Sequence, residues 1–229
     1  TGIGLSNYNI TTANGNLNVA KANLTVTAAP DAKFVGTADP TGYQGAMYSG
    51  LVNGDAPTQS VLGGTLVINR INNGVAVIPG GAGVVGSTDN QAAGSYNSSL
   101  LASGLNPANY NVTYVPGNFI IVGVNQLLVK TGVTQAVYGS APAYSPSTMS
   151  AAYCVDCSTT NTSPNIVNVL GANITVPANP GNQVLVSDGI GTNASITVTA
   201  STSNLSGSGN VNVGSYNVQG GVPTITASG

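Results

Sequence analysis

The sequence predicts an all-β protein, and three observations carry that expectation. Its 31 Gly and 12 Pro are scattered through 229 residues, which leaves little room for long helices. Its polar character comes from Asn, Ser, Thr and Gly rather than from ions, since only 4% of residues are charged. Thr and Val favour strands, while Asn and Gly favour turns. Apolar and polar residues also alternate in short runs, as at Tyr8 and Ile10 and again at Leu17 and Val19. With 41% hydrophobic residues the chain can build cores and is not a disordered tail.

Internal similarity organises the elements. Tyr8-Asn9-Ile10-Thr11 followed by Gly15-Asn16-Leu17 recurs without a gap as Tyr110-Asn111-Val112-Thr113 followed by Gly117-Asn118-Phe119. Asn23-Leu24-Thr25-Val26 is answered by Gln126-Leu127-Leu128-Val129, and Val35-Gly36-Thr37-Ala38 by Tyr138-Gly139-Ser140-Ala141. A period of about one hundred residues indicates an array of domains, not a short-repeat solenoid. The repeated segment reads as a hairpin, with Asn14-Gly15 at the turn in one copy and Pro116-Gly117 in the other. Proline excludes a type I′ turn, so a shared geometry predicts a type I or II turn with a left-handed glycine.

Few residues separate Val19 from Leu24, or Gly123 from Gln126, so consecutive modules are expected to stack with little hinge motion. The chain divides into a closing hairpin of a preceding module (1–20), a full module (21–123) and a second, divergent or truncated module (124–229). In that second module Gly94-Ser95-Tyr96-Asn97 is matched by Gly214-Ser215-Tyr216-Asn217 at a wider offset, and the Ser- and Gly-rich run from Ser201 to Gly209 reads as a loop. The expected architecture is tandem elongated modules of antiparallel strands. A β-grasp-like mixed module with one short helix around Ala56 to Leu62 is the nearest alternative. A right-handed β-solenoid is less favoured, because no period of about twenty residues is present.

Composition also excludes chemistry. The chain has no His, Glu or Trp; its acids are Asp31, Asp39, Asp55, Asp89, Asp156 and Asp188, and its bases Lys21, Lys33, Arg70 and Lys130. Proton transfer, nucleophile activation and metal ligation draw on the residue types that are scarce here. No catalytic residue, cofactor or metal ligand is expected. A net charge of −2 with dispersed bases gives no electrostatic route to nucleic acid or to anionic membranes. No apolar run spans a bilayer; the best, Gly74 to Gly86, is broken by Pro79, Gly80 and Gly81. No signal peptide is visible at Thr1-Gly2-Ile3-Gly4, and the chain reads as a segment of something longer.

Three strings carry a family resemblance: Lys21-Ala22-Asn23-Leu24-Thr25-Val26-Thr27-Ala28, Ser49-Gly50-Leu51-Val52-Asn53-Gly54-Asp55 and Tyr110-Asn111-Val112-Thr113-Tyr114. Together they resemble the MBG domain of the YGX type. Tyr138-Gly139-Ser140 would be the name-giving motif of the second copy, whereas Val35-Gly36-Thr37 takes its place in the first. The resemblance covers residues 1 to about 145. It implies tandem modules of very large secreted bacterial adhesins and filamentous-haemagglutinin-like exoproteins, hence a cell-surface or biofilm-matrix stalk.

Cys154-Val155-Asp156-Cys157 is the one reactive-looking motif. A redox site needs it at a helix start, and a zinc site needs further ligands that the chain lacks. In an oxidising extracellular setting a local disulfide between Cys154 and Cys157 is expected. Asp31 and Asp39 lie near a module start but show no Asp-x-Asp-x-Asp spacing, so they read as turn residues rather than calcium ligands. Tyr8, Tyr96, Tyr110 and Tyr216 sit at repeated positions, which suits a core or corner hydrogen bond. The single-copy Tyr43, Tyr48, Tyr144 and Tyr153 are the candidates for stacking on sugars. Sequons such as Asn9-Ile10-Thr11 and Asn173-Ile174-Thr175 are expected by chance in so Asn-rich a chain.

Two roles follow. One is a passive stalk segment of a secreted or surface-anchored adhesin in adhesion or biofilm formation, with neighbouring modules of the same chain as partners. The other is a module that binds extracellular polysaccharide or surface glycans.

Overall fold

The computed structural model describes residues 9, 11–72, 75–77, 91–131, 139–140, 144–161, 163–177, 182–187, 192–200, 218–220 and 224–227. Tyr8, Tyr138, Tyr216, Gly74 to Gly86 for the most part, and Ser201 to Gly209 lie outside them. Among the described residues the regular structure is mostly strand, with one short α-helix and two 3-10 turns.

β1 (Ala22–Ala28) alternates in burial, as a strand with one covered face does. Leu24, Val26 and Ala28 are fully buried, while Asn23, Thr25 and Thr27 point to the other, more accessible face. It pairs antiparallel with β3 (Ala46–Ser49) and parallel with β7 (Tyr110–Val115). A second sheet takes the order β2 (Asp31–Phe34), β8 (Gly117–Val122), β6 (Gly94–Leu105), β4 (Gly64–Asn72), β5 (Val75–Val77). Between β3 and β4 lies α1 (Gln59–Leu62), inside the span where a short helix was the alternative expectation. Its Leu62 drops into the core. Leu24, Val26, Phe34, Ile68, Leu100, Phe119 and Ile121 belong to a single core cluster built from both sheets.

All-β therefore holds, but the sheets are mixed, and β7 and β8 are not a hairpin. β1 leaves the first sheet at Ala29-Pro30 and continues as β2 in the second; β7 does the same at Pro116 and continues as β8. The register never slips across this corner: Ala22 opposes Tyr110, Thr27 opposes Val115, Asp31 opposes Phe119 and Phe34 opposes Val122. Proline has no N–H to give a ladder, so each Pro marks the place where its strand changes sheet. Gly117 does not take a positive φ, contrary to the turn expected at Pro116-Gly117. It is glycine for room: a Cβ there would lie 2.3 Å from the Ala28 carbonyl oxygen. Two strands crossing between sheets side by side can come that close only if one has no side chain.

Beyond Gly123 come β9 (Leu127–Lys130), β10 (Ser150–Cys154) and β11 (Ile166–Asn168), in the sheet order β11-β10-β9. A last sheet holds β12 (Ile174–Thr175), β13 (Gln183–Ser187), β14 (Thr192–Ala200), β15 (Val218–Gly220) and β16 (Thr224–Ala227). Met149, Ala151, Ile174, Val184, Val186, Ile196 and Val198 form a separate core there. The earlier copy of the repeated segment behaves differently. Residues 11–20 form no strand, and Leu17 and Val19 are 89% and 80% exposed. Where the later copy has β1, β2 and β6 to pair with, the earlier copy has no strand beside it among the described residues.

Candidate functional site

The chemistry-bearing residues concentrate at a place that alternation did not reveal. Lys33 of β2, Arg70 of β4 and Asp39, just beyond the turn that follows β2, meet inside the core with exposures of 3%, 0% and 2%. Arg70 grips the Asp39 carboxylate as a fork, Nε to Oδ2 at 2.6 Å and Nη2 to Oδ1 at 2.9 Å. Lys33 Nζ lies 2.6 Å from Oδ1, and the Tyr43 hydroxyl donates to Oδ2 at 2.8 Å. Arg70 Nη1 donates to the side-chain oxygen of Gln91. Its guanidinium carbon sits 5.0 Å from the centroid of the Phe119 ring, against which Tyr43 packs edge-on at 5.8 Å and 89°.

Burial would raise the Asp39 carboxyl, but the hydrogen bonds from Arg70, Lys33 and Tyr43 outweigh it and hold its pKa below the ordinary value. The Tyr43 phenol is pushed well up, first by burial and then by its bond to Asp39. A carboxylate held ionised between two cations, beside a phenol held neutral, is poorly suited to passing protons. The arrangement braces β2 against β4. It was detectable in principle, since Arg70 interrupts the apolar run Leu66-Val67-Ile68 and Ile71 within one strand.

A second cluster joins β2 to the strands that follow Gly123. β2 is an edge strand, yet all four of its residues are buried, so both of its faces are covered. Cys154 and Cys157 belong to the core cluster that contains Ala32, Phe34 and Val35, with Leu128, Ala152 and Ile166 packed against it. The two cysteines form the expected disulfide, with Cα atoms 5.7 Å apart. Lys130 Nζ donates to Asp31 Oδ1 at 2.7 Å, and the Ala32 amide donates to the same oxygen. Asp31 Oδ2 is buried with no hydrogen-bond partner among the described residues. An open groove of about 360 Å³ runs along the seam, lined by Val35, Ala93, Val124, Gln126, Cys157 and Thr159 among others. Asp31 and Asp39 are thus neither turn residues nor poised for calcium, because each carboxylate is already held by lysine or arginine. Replacing both cysteines with alanine should cost about 2 kcal/mol for a loop this short. Denaturant melts of the variant, and of the natural chain with and without reductant, measure that cost.

Repeat status does not divide the tyrosines, because repeated and single-copy ones alike are held by the fold. The Tyr110 hydroxyl donates to Asp55 and accepts from the Val52 amide, Tyr114 accepts from the Leu105 amide at 2.8 Å, and Tyr96 donates to the Ala92 carbonyl. The bond to Asp55 raises the Tyr110 phenol. Of the four sugar-stacking candidates, Tyr43 and Tyr48 pack against the first core and Tyr144 against the second. Burial raises the phenols of Tyr48 and Tyr144 as well. Tyr153, on β10, is 42% exposed and presents the most accessible ring of the four. The structure gathers no shared aromatic platform from them.

A family model settles the kind of module. The model of the MBG domain (YGX type) matches residues 24–120, which run from within β1 to within β8. Residues 24–120 are similar to an MBG domain of the YGX type. Comparison with curated proteins and with solved structures gives no match. The assignment is consistent with a repeat module of bacterial surface proteins and with an extracellular repeat region. No helix among the described residues is long and apolar enough to cross a membrane.

The motif glycine of the MBG module has a visible role. Gly36 takes a φ of +81° and its counterpart Gly139 a φ of +84°, a left-handed conformation that strains any residue with a side chain. The two differ in surroundings: a Cβ on Gly36 would lie 2.6 Å from the Asn161 carbonyl oxygen, while one on Gly139 meets nothing within 4 Å among the described residues. Gly139→Ala should therefore cost about 1 kcal/mol of strain alone. Gly36→Ala should cost clearly more and loosen the seam, which parallel chemical melts of the two variants compare.

Proposed function

We propose that this chain is a non-catalytic stalk segment of a secreted or surface-anchored bacterial adhesin, holding a distal binding tip away from the cell. One observation carries the reading: the few charges are used as internal ties. Eight of the ten charged side chains are among the described residues, and each is engaged. Lys21 donates to the Pro107 carbonyl, Asp31 pairs with Lys130, Lys33 and Arg70 with Asp39, Asp55 with Tyr110, and Asp156 with the Asn165 amide. Several of these ties join segments far apart in sequence, which is how a thin β module resists being pulled open.

The seam supports the same reading. An ion pair and a disulfide loop seated on the edge strand β2 restrict bending between consecutive units. Stretching the full chain between surface and tip in a force spectrometer is the direct test, with small-angle scattering for length. High, reproducible unfolding forces and an elongated particle are expected. Low forces, or a compact particle, would overturn the proposal.

Glycan capture is the second reading, and the exposed ring of Tyr153 is what favours it. Saturable binding on a glycan array, abolished by Tyr153→Ala, would replace the stalk role with a binding one.

A further inference from the structure

The geometry points to residues 8–20 as a strand pair that completes another MBG module, docking on that module's equivalents of β1, β2 and β6. The later copy of this sequence shows the docked state. There Phe119 and Ile121 are 0% and 1% exposed, with β8 held between β2 and β6. The residues at the same places in the earlier copy are Leu17 and Val19, at 89% and 80% exposure. Two successive inward-facing positions have thus kept apolar side chains that stand largely exposed among the described residues.

Small residues make the same point more sharply. Gly117 is required where it stands, because the Ala28 carbonyl leaves no room for a Cβ. Its counterpart Gly15 takes no positive φ and would meet nothing within 4 Å among the described residues. None of those residues calls for glycine at Gly15; the corner between β1 and β2 of an acceptor does. Asn118 accepts a hydrogen bond from the Ser98 amide of β6, and Asn16 stands at the matching place. Tyr110, tied to Asp55 and Val52, is matched by Tyr8 in the sequence. Tyr110, Gly117 and Asn118 are retained as Tyr8, Gly15 and Asn16, whereas Tyr114, Val115, Pro116 and Phe119 are replaced by Thr12, Ala13, Asn14 and Leu17.

The occupant is therefore chemically defined. It is a two-sheet frame with a parallel edge in the first sheet, a gap between a parallel and an antiparallel strand in the second, a fully buried apolar slot for Leu17 and Val19, and a backbone carbonyl that tolerates only glycine. Another module of this family has that form. Only the source of the acceptor, a neighbouring module, rests on the stalk reading; the fit between strand and frame does not.

The test moves the segment into a frame already present. In the full chain, residues 110–122 are replaced by residues 8–20, which have the same length. Cooperative unfolding should persist, and amide exchange at the transplanted Leu and Val should slow at least about 100-fold relative to Leu17 and Val19 in the natural chain. Carrying Leu17→Asp and Val19→Asp should abolish the transition of the swapped chain yet leave the melting of the natural chain unchanged. Loss of folding in the swapped chain, or equal folding with the transplanted residues in scrambled order, would overturn the assignment.

Discussion

Asp39→Asn should destabilise the chain by about 3–5 kcal/mol at pH 7, the cost of removing one partner from a buried ion pair. The carboxylate is shared by Arg70, Lys33 and Tyr43, and the change removes its charge from the centre of the group while preserving its shape. Denaturant melts measure the loss. Replacing Lys33, Asp39 and Arg70 together with Met, Leu and Met should recover much of it, since a well-packed apolar substitute needs no desolvated charge. A triple variant as weak as Asp39→Asn would show that the cluster does more than brace. Acid provides an independent check. The folded pKa of Asp39 lies below the ordinary value, so its contribution is complete above the unfolded pKa. It is lost as pH falls through the folded value, in a window beginning at about pH 4. The natural chain should weaken on acidification through that window, and Asp39→Asn should show a shallower dependence.

Phe119→Ala is the other large effect, at about 3–5 kcal/mol. Phe119 is fully buried on β8, the strand held between β2 and β6, and it provides the ring face for Arg70 and the edge contact for Tyr43. Its removal takes away apolar burial, leaves a cavity and strips the aromatic cover from the guanidinium. Phe119→Leu keeps most of the volume and should cost about 1.5 kcal/mol or less. That contrast matters for the earlier copy of the repeat, where leucine occupies this place. Equal losses in the two variants, read from melts at one pH, would mean that the ring itself and not its volume holds the core.

Local signals were readable along the chain. The strand expected at Leu24 to Val26 is there as β1, whose period of two puts Leu24, Val26 and Ala28 on one buried face. A short helix around Ala56 to Leu62 belonged to the alternative expectation, and α1 lies inside that span. Spacing made Cys154 and Cys157 partners, and repetition marked Tyr96 and Tyr110 as hydrogen-bonding fixtures. Strand direction was less readable. Tyr110–Phe119 reads as a hairpin from its own residues, since alternation looks the same in parallel and antiparallel ladders. Only the presence of β1 and β2 alongside turns Pro116 into a corner between sheets.

What amino-acid order decided, then, is strand character, the hundred-residue period, the disulfide and the poverty of reactive groups, all properties of neighbours in sequence. What folding decided is where the charges went. Asp39 finds Arg70, and Asp31 finds Lys130, across long stretches of intervening chain. An ionisable side chain looks solvent-bound until topology supplies a partner of opposite sign, because the cost of burying it is set by what it meets there.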